Sequence, residues 1–202
     1  MFKRSDERKL TRLKGYDYSQ NGYYFVTICV EDMEHPFGFI ENEHMNLSEF
    51  GKIAQQCLND LPKNYDNCFL DETIIMPNHI HYITIISNHT VGDDFLSSPV
   101  TINSMNGFVL KKRDGKKPSP TNAYGITLPD MNLKTNANKI HDLSEMVRSF
   151  KHYVTRNINK LNPNRKFKWQ KSFYDHIIRN DNDLNRIRKY IINNPINWEK
   201  HK

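Results

Sequence analysis

The chain has 202 residues, of which 37% are hydrophobic, and its net charge is +6. This length suits one domain with a core large enough to fold without disulfides. The three cysteines include no CxxC pair, which argues against a disulfide framework and a zinc knuckle. No apolar run approaches the roughly 18 residues of a membrane helix, and the charged N-terminus does not resemble a signal peptide. We therefore expect a cytoplasmic protein that does not cross a membrane.

The charge is distributed unevenly along the chain. Residues 15–87 carry eleven acidic residues and two Lys or Arg, whereas residues 141–202 carry six acidic residues and fourteen Lys or Arg. A basic C-terminal third beside an acidic segment is typical of proteins that bind polyanions. Charge alone leaves two interpretations open, a nucleic-acid surface or a solvated pair of basic helices.

The first half of the chain predicts a strand, a hairpin and a helix. Residues 22–30 are aromatic and β-branched, as in a buried strand. A short hairpin follows around Phe37–Ile40 and Met45–Leu47. Ser48 is a suitable N-cap for a helix with one apolar stripe, and Pro62 marks the expected end of that helix.

Two further strands should follow, and then a segment of different composition. Residues 68–76 and 79–87 are apolar and β-branched, with Pro77-Asn78 between them, so we expect an antiparallel pair with a tight connection. Residues 89–139 are rich in Asn, Ser, Thr, Pro, Gly and Lys and hold no helical period. We interpret them as a flexible insertion within a single domain that spans residues 1–202.

Helical periodicity returns near residue 142. The apolar residues of the segment 142–161 recur at helical spacing, and Asp142 with Glu145 resembles a capping box. A fourth strand is predicted at Ser172–Ile178. The last helix should begin near Asp181 and stop at Pro195.

The order of these elements predicts the fold class. The order β-α-β-β-α-β is that of an α+β, ferredoxin-like (RRM-like) sandwich, here with an added C-terminal helix. The third main strand is apolar on both faces, with Ile83 and Ile85 on one side and Ile80 and Ile86 on the other. Because such a strand is usually covered on both faces, the final helix should cover the second one.

Two histidines on the third main strand form a candidate metal site. His79 and His81 are two residues apart, so their side chains point to the same face of the strand. Both imidazoles can then converge on one metal ion, for which histidine is the commonest ligand. The spacing alone is a weak signal, because polar residues are also frequent at the ends of sheets.

A tyrosine and an asparagine lie on the predicted last helix. Tyr190 and Asn194 are one turn apart, at the border of the apolar stripe. A tyrosine at such a position is commonly an amphipathic rim residue. The functional interpretation is a nucleophile with an amide oxygen one turn away as a third metal ligand. Since Pro195 disfavours helical geometry before it, Asn194 should be the last helical residue or lie just outside.

Two sequence motifs resemble those of a known enzyme family. The run MPNHIHYITII, which contains His79 and His81, resembles the His-hydrophobe-His motif of the HUH-type single-tyrosine transposases. The run WQKSFYDHIIRNDNDLNRIRKYIINNP, which contains Tyr190, resembles the C-terminal signature of their REP-associated (RAYT, insertion-sequence-200-like) branch. Both motifs occur in the family's order, and the similarity covers most of the chain except about residues 88–140.

The resemblance implies a reaction and a role for each motif residue. His79, His81 and Asn194 would hold a divalent ion, Mg²⁺ or Mn²⁺, and Tyr190 would attack a phosphodiester. A covalent 5′-phosphotyrosine would form and a 3′-OH would be released, so that DNA can be cleaved and rejoined without ATP. The substrate would be single-stranded DNA that contains a hairpin. Relatives of this branch act as monomers, so we favour a monomer over a dimer.

Other residues of the C-terminal third are candidates for contact with DNA. Basic side chains can follow the phosphate backbone, and an aromatic ring can stack on bases. His176 belongs to the signature without an assigned role; together with Arg179 it could simply hold the fourth strand to the final helix. The candidate DNA-binding residues are Arg148, Lys151, Arg156, Lys168, Trp169 and Arg179.

Several alternatives remain open at this point. A non-catalytic RRM-like module would have the same fold, although its third strand should carry an aromatic run instead of two histidines. A domesticated host protein that nicks hairpins would have the same motifs as a mobile element's transposase. A metal-dependent hydrolase would cleave without a covalent adduct. Tyr153 and Tyr174 are rival nucleophiles that do not occupy the motif position.

Overall fold

A four-stranded antiparallel sheet forms the centre of the protein. The computed structural model describes residues 12–88, 139–164 and 166–199. In chain order the strands of this sheet are β1 (Gly22–Cys29), β4 (Cys68–Ile75), β5 (His79–Ile86) and β6 (Tyr174–Ile178). Their spatial order is β4-β5-β1-β6, so that β1 and β5 are the two central strands. The predicted tight antiparallel connection of β4 and β5 is confirmed.

Two helices cover the first face of the sheet. Helix α1 (Glu49–Asn59) and helix α3 (Leu143–Leu161) pack against each other. Phe150 of α3 lies 6.5 Å, between ring centroids, from the buried Tyr82 of β5. Because side chains alternate along a strand, Tyr82 and the two histidines of β5 point to opposite faces. The α1–α3 layer and the histidines are therefore on different sides of the sheet.

The second face is covered by helix α4 (Asp181–Ile192), as the sequence predicted. The covering residues and the strand residues beneath them form one apolar cluster, so the helix is held by burial of its stripe. The members of this cluster are Phe25, Ile83, Ile178, Leu184, Ile187 and Ile191.

Polar contacts fix the same helix at two places. His176 Nε2 lies 2.7 Å from Asp183 Oδ2, which joins β6 to the first turn of α4. Arg188 Nε donates to Asp71 Oδ2 of β4 at 2.8 Å. The helix is therefore tied to both edge strands of the sheet, and its direction across the face is set.

The remaining elements lie around this sandwich. A short hairpin consists of β2 (Gly38–Glu41) and β3 (His44–Leu47), close to the predicted bounds. A 3-10 turn (Glu31–Met33) precedes it. Helix α2 (Leu61–Asn64) follows α1, and helix α5 (Asn194–Glu199) follows α4 and contacts the hairpin. None of the helices within the described ranges is long and apolar enough to cross a membrane.

Helix boundaries differ from the sequence predictions at two prolines. Helix α1 ends at Asn59, and Pro62 lies in the first turn of α2 instead of ending α1. Helix α4 ends at Ile192, and Pro195 is the second residue of α5. The physical reason is the same in both cases. The N–H groups of the first helical turn have no partner within the helix, so proline, which lacks an N–H, is well suited to that turn.

Both predicted N-caps are present, but the capping box predicted at Asp142 and Glu145 forms only one of its two hydrogen bonds. Ser48 Oγ accepts from Gly51 N, and Asp142 Oδ1 accepts from Glu145 N at 2.8 Å. The carboxylate of Glu145 contacts Lys139 and His141. The capping box is therefore only half formed. The predicted insertion at residues 89–139 lies outside the described residues, except for Lys139.

Candidate active site

Strands β1 and β5 position the two motif histidines. The rings of His79 and His81 are 4.5 Å apart between centroids, as their spacing on one strand face predicts. His81 lies opposite Thr27 of β1 in the antiparallel register. Phe25 stacks on the imidazole of His81 at 5.3 Å and 29°, and so restrains the plane of that ring.

Each histidine has a polar partner at Nδ1. His79 Nδ1 lies 2.6 Å from Asn78 Oδ1, and His81 Nδ1 lies 2.8 Å from Thr27 Oγ1. In both residues the first nitrogen of the ring is thus engaged by the protein scaffold. The second nitrogen, Nε2, is the one available for a ligand or a reacting group.

Burial keeps both imidazoles neutral. Burial lowers the pKa of His79 to about 4, although a hydrogen bond with the Asn194 side chain partly opposes this. The pKa of His81 falls to about 3, first through burial and then through the proximity of His79. Both rings therefore carry a free lone pair at neutral pH, as a metal ligand must.

Helix α4 brings Tyr190 to the same place. Its phenol oxygen lies 3.3 Å from His81 Nε2, and its ring meets Phe25 edge-on. Tyr190 is nevertheless 46% exposed. The hydroxyl thus faces the buried histidine pair, while the outer side of the ring remains open to a large substrate.

Asn194 is buried next to the pair, at the start of α5. Only 7% of its surface is exposed, and its side chain hydrogen-bonds to His79. It lies just outside α4, which is one of the two positions that the sequence allowed. Trp198, one turn later, is tilted over His79 at 5.8 Å between ring centroids and borders the site on that side.

The donor set fits one divalent ion held by few protein ligands. Two neutral imidazoles and one amide oxygen suit Mn²⁺ somewhat better than Mg²⁺, which prefers oxygen ligands. Within the described part of the chain there is no group of three or more His, Cys, Asp or Glu side chains that could hold a metal. The remaining positions around such an ion would thus be left to water or phosphate oxygens.

Two of the arginines predicted to bind DNA lie on the opposite side of the sheet from Tyr190. Arg148 and Arg156 are exposed on the outer surface of α3, in the layer that covers the Tyr82 face. Helix α4 and Tyr190 belong to the other layer. The structure therefore does not bring these arginines to the histidine pair.

Three other candidates lie in or beside the segment between α3 and β6. Lys151 Nζ donates to the carbonyl oxygens of Gln170 and Ser172, and the indole N–H of Trp169 donates to the carbonyl oxygen of Lys151. Trp169 packs against aromatic rings of the first layer and is partly buried. Lys168 is exposed and pairs with Glu31 at 3.3 Å. Lys151 and Trp169 thus have structural contacts of their own.

Of the two signature residues, His176 lies in β6 and Arg179 follows directly after that strand. His176 contacts Asp183 and so joins β6 to α4. Arg179 is exposed directly after Ile178, which pairs with Tyr23 of β1, whereas His81 pairs with Thr27. Tyr23 and Thr27 are four residues apart on β1, which corresponds to about 13 Å along the strand.

Sequence reasoning missed the residues that support the site. Thr27, Asn78 and Trp198 touch the histidines, and Arg188 with Asp71 fixes the helix that carries Tyr190. Asn78 directly precedes His79 in the motif, so the sequence alone could have indicated a contact between these two side chains. Thr27 required the register of β1 against β5, which the sequence does not show.

A comparison with curated proteins found one relative that shows the family of this chain. No family model matches the chain. An uncharacterized protein of Haemophilus influenzae is 33% identical over 193 residues, which cover 96% of this chain and 91% of that protein. The chain belongs to the same protein family as this relative.

A solved structure shares the fold. It is that of a REP-associated tyrosine transposase bound to a REP hairpin, with a TM-score of 0.52 and 16% sequence identity. The similarity covers 92% of this chain and 73% of that one. At this identity the similarity shows that the two chains fold alike.

Proposed function

We propose that this chain, like the family its motifs resemble, is an HUH-type tyrosine transposase that cleaves and joins single-stranded DNA. The observation that carries the proposal is the distance of 3.3 Å between the Tyr190 hydroxyl and Nε2 of the buried His81. Two motifs more than a hundred residues apart in the sequence thus meet at one point. The fold shared with a REP-associated transposase supports the proposal, as does a strand order that suits a ferredoxin-like sandwich.

Tyr190 is the nucleophile in this proposal. Its phenol oxygen forms a bond to the phosphorus of a DNA phosphodiester, and the bond from phosphorus to the neighbouring 3′-oxygen breaks. That oxygen leaves with a proton as a 3′-OH, and the 5′ phosphate stays on the tyrosine. The 3′-OH of another strand reverses the step and rejoins DNA. The exposed outer side of the Tyr190 ring leaves room for the strand to approach.

The histidine pair and Asn194 would hold the divalent ion. When bound there, Mg²⁺ or Mn²⁺ would supply Lewis-acid polarisation of the scissile phosphate. His79 and His81 offer neutral nitrogens, and the Asn194 side chain offers an amide oxygen beside His79. Phe25 and Trp198 border these rings with apolar surface, which limits the access of water to the ligands.

The proposed substrate is single-stranded DNA with a hairpin. The solved transposase of the same fold is bound to a REP hairpin, and the basic C-terminal third of this chain suits a polyanion. We also propose that the protein acts as a monomer.

The RRM-like alternative loses support from the position of α4. RRM domains stack bases on aromatic residues of an open sheet face. Here Phe25 and Ile83 of the corresponding face are buried beneath α4. A base therefore has no access to that face without displacement of the helix.

A covalent-adduct assay tests the proposal. The protein is incubated with hairpin-containing single-stranded DNA and Mn²⁺ or Mg²⁺, and the products are separated on a denaturing gel. We expect a protein–DNA adduct with the wild type, and none with Tyr190→Phe or in the presence of EDTA. Tyr174→Phe is the matched control, since it removes another exposed phenol on the same face of the sheet and should leave the adduct intact.

Other outcomes would redirect the assignment. An adduct with Tyr190→Phe but not with Tyr174→Phe would move the nucleophile to Tyr174. Cleavage by the wild type without an adduct would indicate a hydrolase. DNA binding without cleavage in either metal would favour the non-catalytic module.

A further inference from the structure

The side-chain amide of Asn78 is buried between His79 and the segment before β2. Asn78 is only 3% exposed, and its Nδ2 donates to the carbonyl oxygen of Met33 at 3.5 Å. Its own backbone carbonyl accepts from Val30 N at 2.9 Å. The segment before β2 therefore holds the residue from two sides.

The amide end that faces His79 bears on the proton position of that ring. Since Nδ2 of Asn78 faces Met33, the atom that faces His79 is the oxygen Oδ1, at 2.6 Å from Nδ1. An amide oxygen only accepts hydrogen bonds. With the amide in this orientation, the hydrogen of a neutral His79 lies on Nδ1 and the lone pair on Nε2.

Thr27 makes the corresponding contact with His81. Its hydroxyl lies 2.8 Å from Nδ1, and the phenol of Tyr190 lies 3.3 Å from Nε2 on the other side of the ring. A phenol O–H readily donates to an unprotonated imidazole nitrogen. The two contacts are consistent when Nδ1–H donates to Thr27 and Nε2 is unprotonated.

We propose that Asn78 and Thr27 are positioning residues that hold both histidines in the Nδ1–H tautomer, so that both Nε2 lone pairs face the proposed metal and Tyr190. This role rests on the proposed function, because the tautomers of the two histidines matter for catalysis only if these residues hold a metal ion. Partners of this kind fix the ring orientation of metal-binding histidines and raise their basicity, and their loss typically costs about 10- to 100-fold in metal affinity. Neither residue would touch the DNA or the metal.

The tautomers are measurable in the metal-free protein. Long-range ¹H–¹⁵N correlation spectra distinguish an imidazole protonated at Nδ1 from one protonated at Nε2. We expect the Nδ1–H pattern for both histidines of the wild type at neutral pH. Thr27→Val should lose the single-tautomer pattern of His81 only, and Asn78→Leu that of His79 only.

Conservative variants separate positioning from structural damage. Thr27→Ser and Asn78→Asp each keep an oxygen acceptor and should keep the Nδ1–H pattern. Mn²⁺ binding, followed by the electron paramagnetic resonance signal of the free ion, should weaken about 10-fold in Thr27→Val and stay close to the wild type in Thr27→Ser. If Asn78→Leu fails to fold, the comparison of Thr27→Val with Thr27→Ser still tests the positioning role.

The outcomes are distinct from those of the adduct assay. An Nε2–H pattern for His79 or His81 in the wild type would overturn the inference, even when the Tyr190 adduct forms. Unchanged tautomer and Mn²⁺ affinity in Thr27→Val would overturn it as well. The Nδ1–H pattern together with the absence of any adduct would sink the proposed function and leave the positioning roles in place.

Discussion

His81 and Tyr190 touch each other, yet their environments differ. His81 is 4% exposed, which keeps its imidazole neutral, whereas Tyr190 is 46% exposed. A metal ligand benefits from burial because its lone pair stays free, and a nucleophile that attacks a DNA strand must be reachable from outside. The burial of each residue therefore agrees with the role proposed for it.

Asn194 gives a prediction at the scale of one residue. Replacement of Asn194 by Ala removes the proposed amide ligand beside His79, so the Mn²⁺ concentration needed for half-maximal adduct formation should rise about 10-fold. Asn194→Asp keeps an oxygen ligand and should restore it. A titration of adduct yield against Mn²⁺ measures both effects.

The neighbouring Asn193 is the matched control. It caps the end of α4 and its side chain is exposed, so Asn193→Ala should leave the Mn²⁺ requirement unchanged. If Asn194→Ala requires no more Mn²⁺ than Asn193→Ala, Asn194 is not a ligand.

The sequence predicts some of these residue positions and not others. The spacing of His79 and His81 fixes their shared face, because alternation along a strand is a property of the backbone. The contact of Thr27 with His81 depends on which residues of β1 and β5 face each other. That register is set by packing of the whole sheet, which local patterns do not contain.

At the scale of elements, the position of Tyr190 depends on helix α4. The stripe of α4 is buried against the sheet, and a hydrogen bond at Asp183 and an ion pair at Arg188 join the helix to both edge strands. The apolar periodicity of the sequence predicts which residues face inward. The ties to β4 and β6 are contacts between distant segments, and no local pattern indicates them.

Two isoleucines of α4 test whether the helix is held by its buried stripe. Ile187 is 3% exposed and belongs to the cluster, whereas Ile192 is 57% exposed at the end of the same helix. Ile187→Ala should lower the free energy of unfolding by about 2–4 kcal/mol through lost burial and the resulting cavity. Ile192→Ala should change it by less than about 0.5 kcal/mol.

Urea denaturation of the two variants measures the difference. Equal destabilisation by both replacements would mean that α4 is not docked through the Ile187 side. It would also remove the structural basis for the contact between Tyr190 and His81.

At the scale of the molecule, the sheet separates two basic surfaces. Arg148 and Arg156 lie on the outer side of the α1–α3 layer. The exposed Arg186 and Lys189 lie on α4, on the other side of the sheet with Tyr190. The sequence located the basic charge correctly in the C-terminal third. It did not indicate that this charge is divided between two faces, because α3 and α4 pack on opposite sides of the sheet.

This separation predicts that the effect of Arg156 depends on the length of the DNA. A short strand that only fills the Tyr190 site should bind Arg156→Gln as well as the wild type. A long hairpin substrate that reaches round the edge of the sheet should bind it more weakly, with a log–log salt slope reduced by about 0.7–0.9 for the one lost phosphate contact.

Fluorescence anisotropy across a range of salt concentrations measures the salt slope of Arg156→Gln and of the wild type on the short strand and on the long hairpin. Lys63→Gln is the control for charge alone, since Lys63 belongs to the acidic segment and pairs with Asp60. Equal slopes for Arg156→Gln and the wild type on the long hairpin would assign Arg156 to a solvated surface without DNA contact.

The most direct test of the proposed tyrosine chemistry is the identity of the residue that becomes linked to DNA. The adduct formed with Mn²⁺ is digested with protease and nuclease, and the modified peptide is sequenced by mass spectrometry. We expect a nucleotide attached through its 5′ phosphate to the oxygen of Tyr190. Attachment to Tyr174, to Tyr153 or to any residue other than Tyr190 would contradict it.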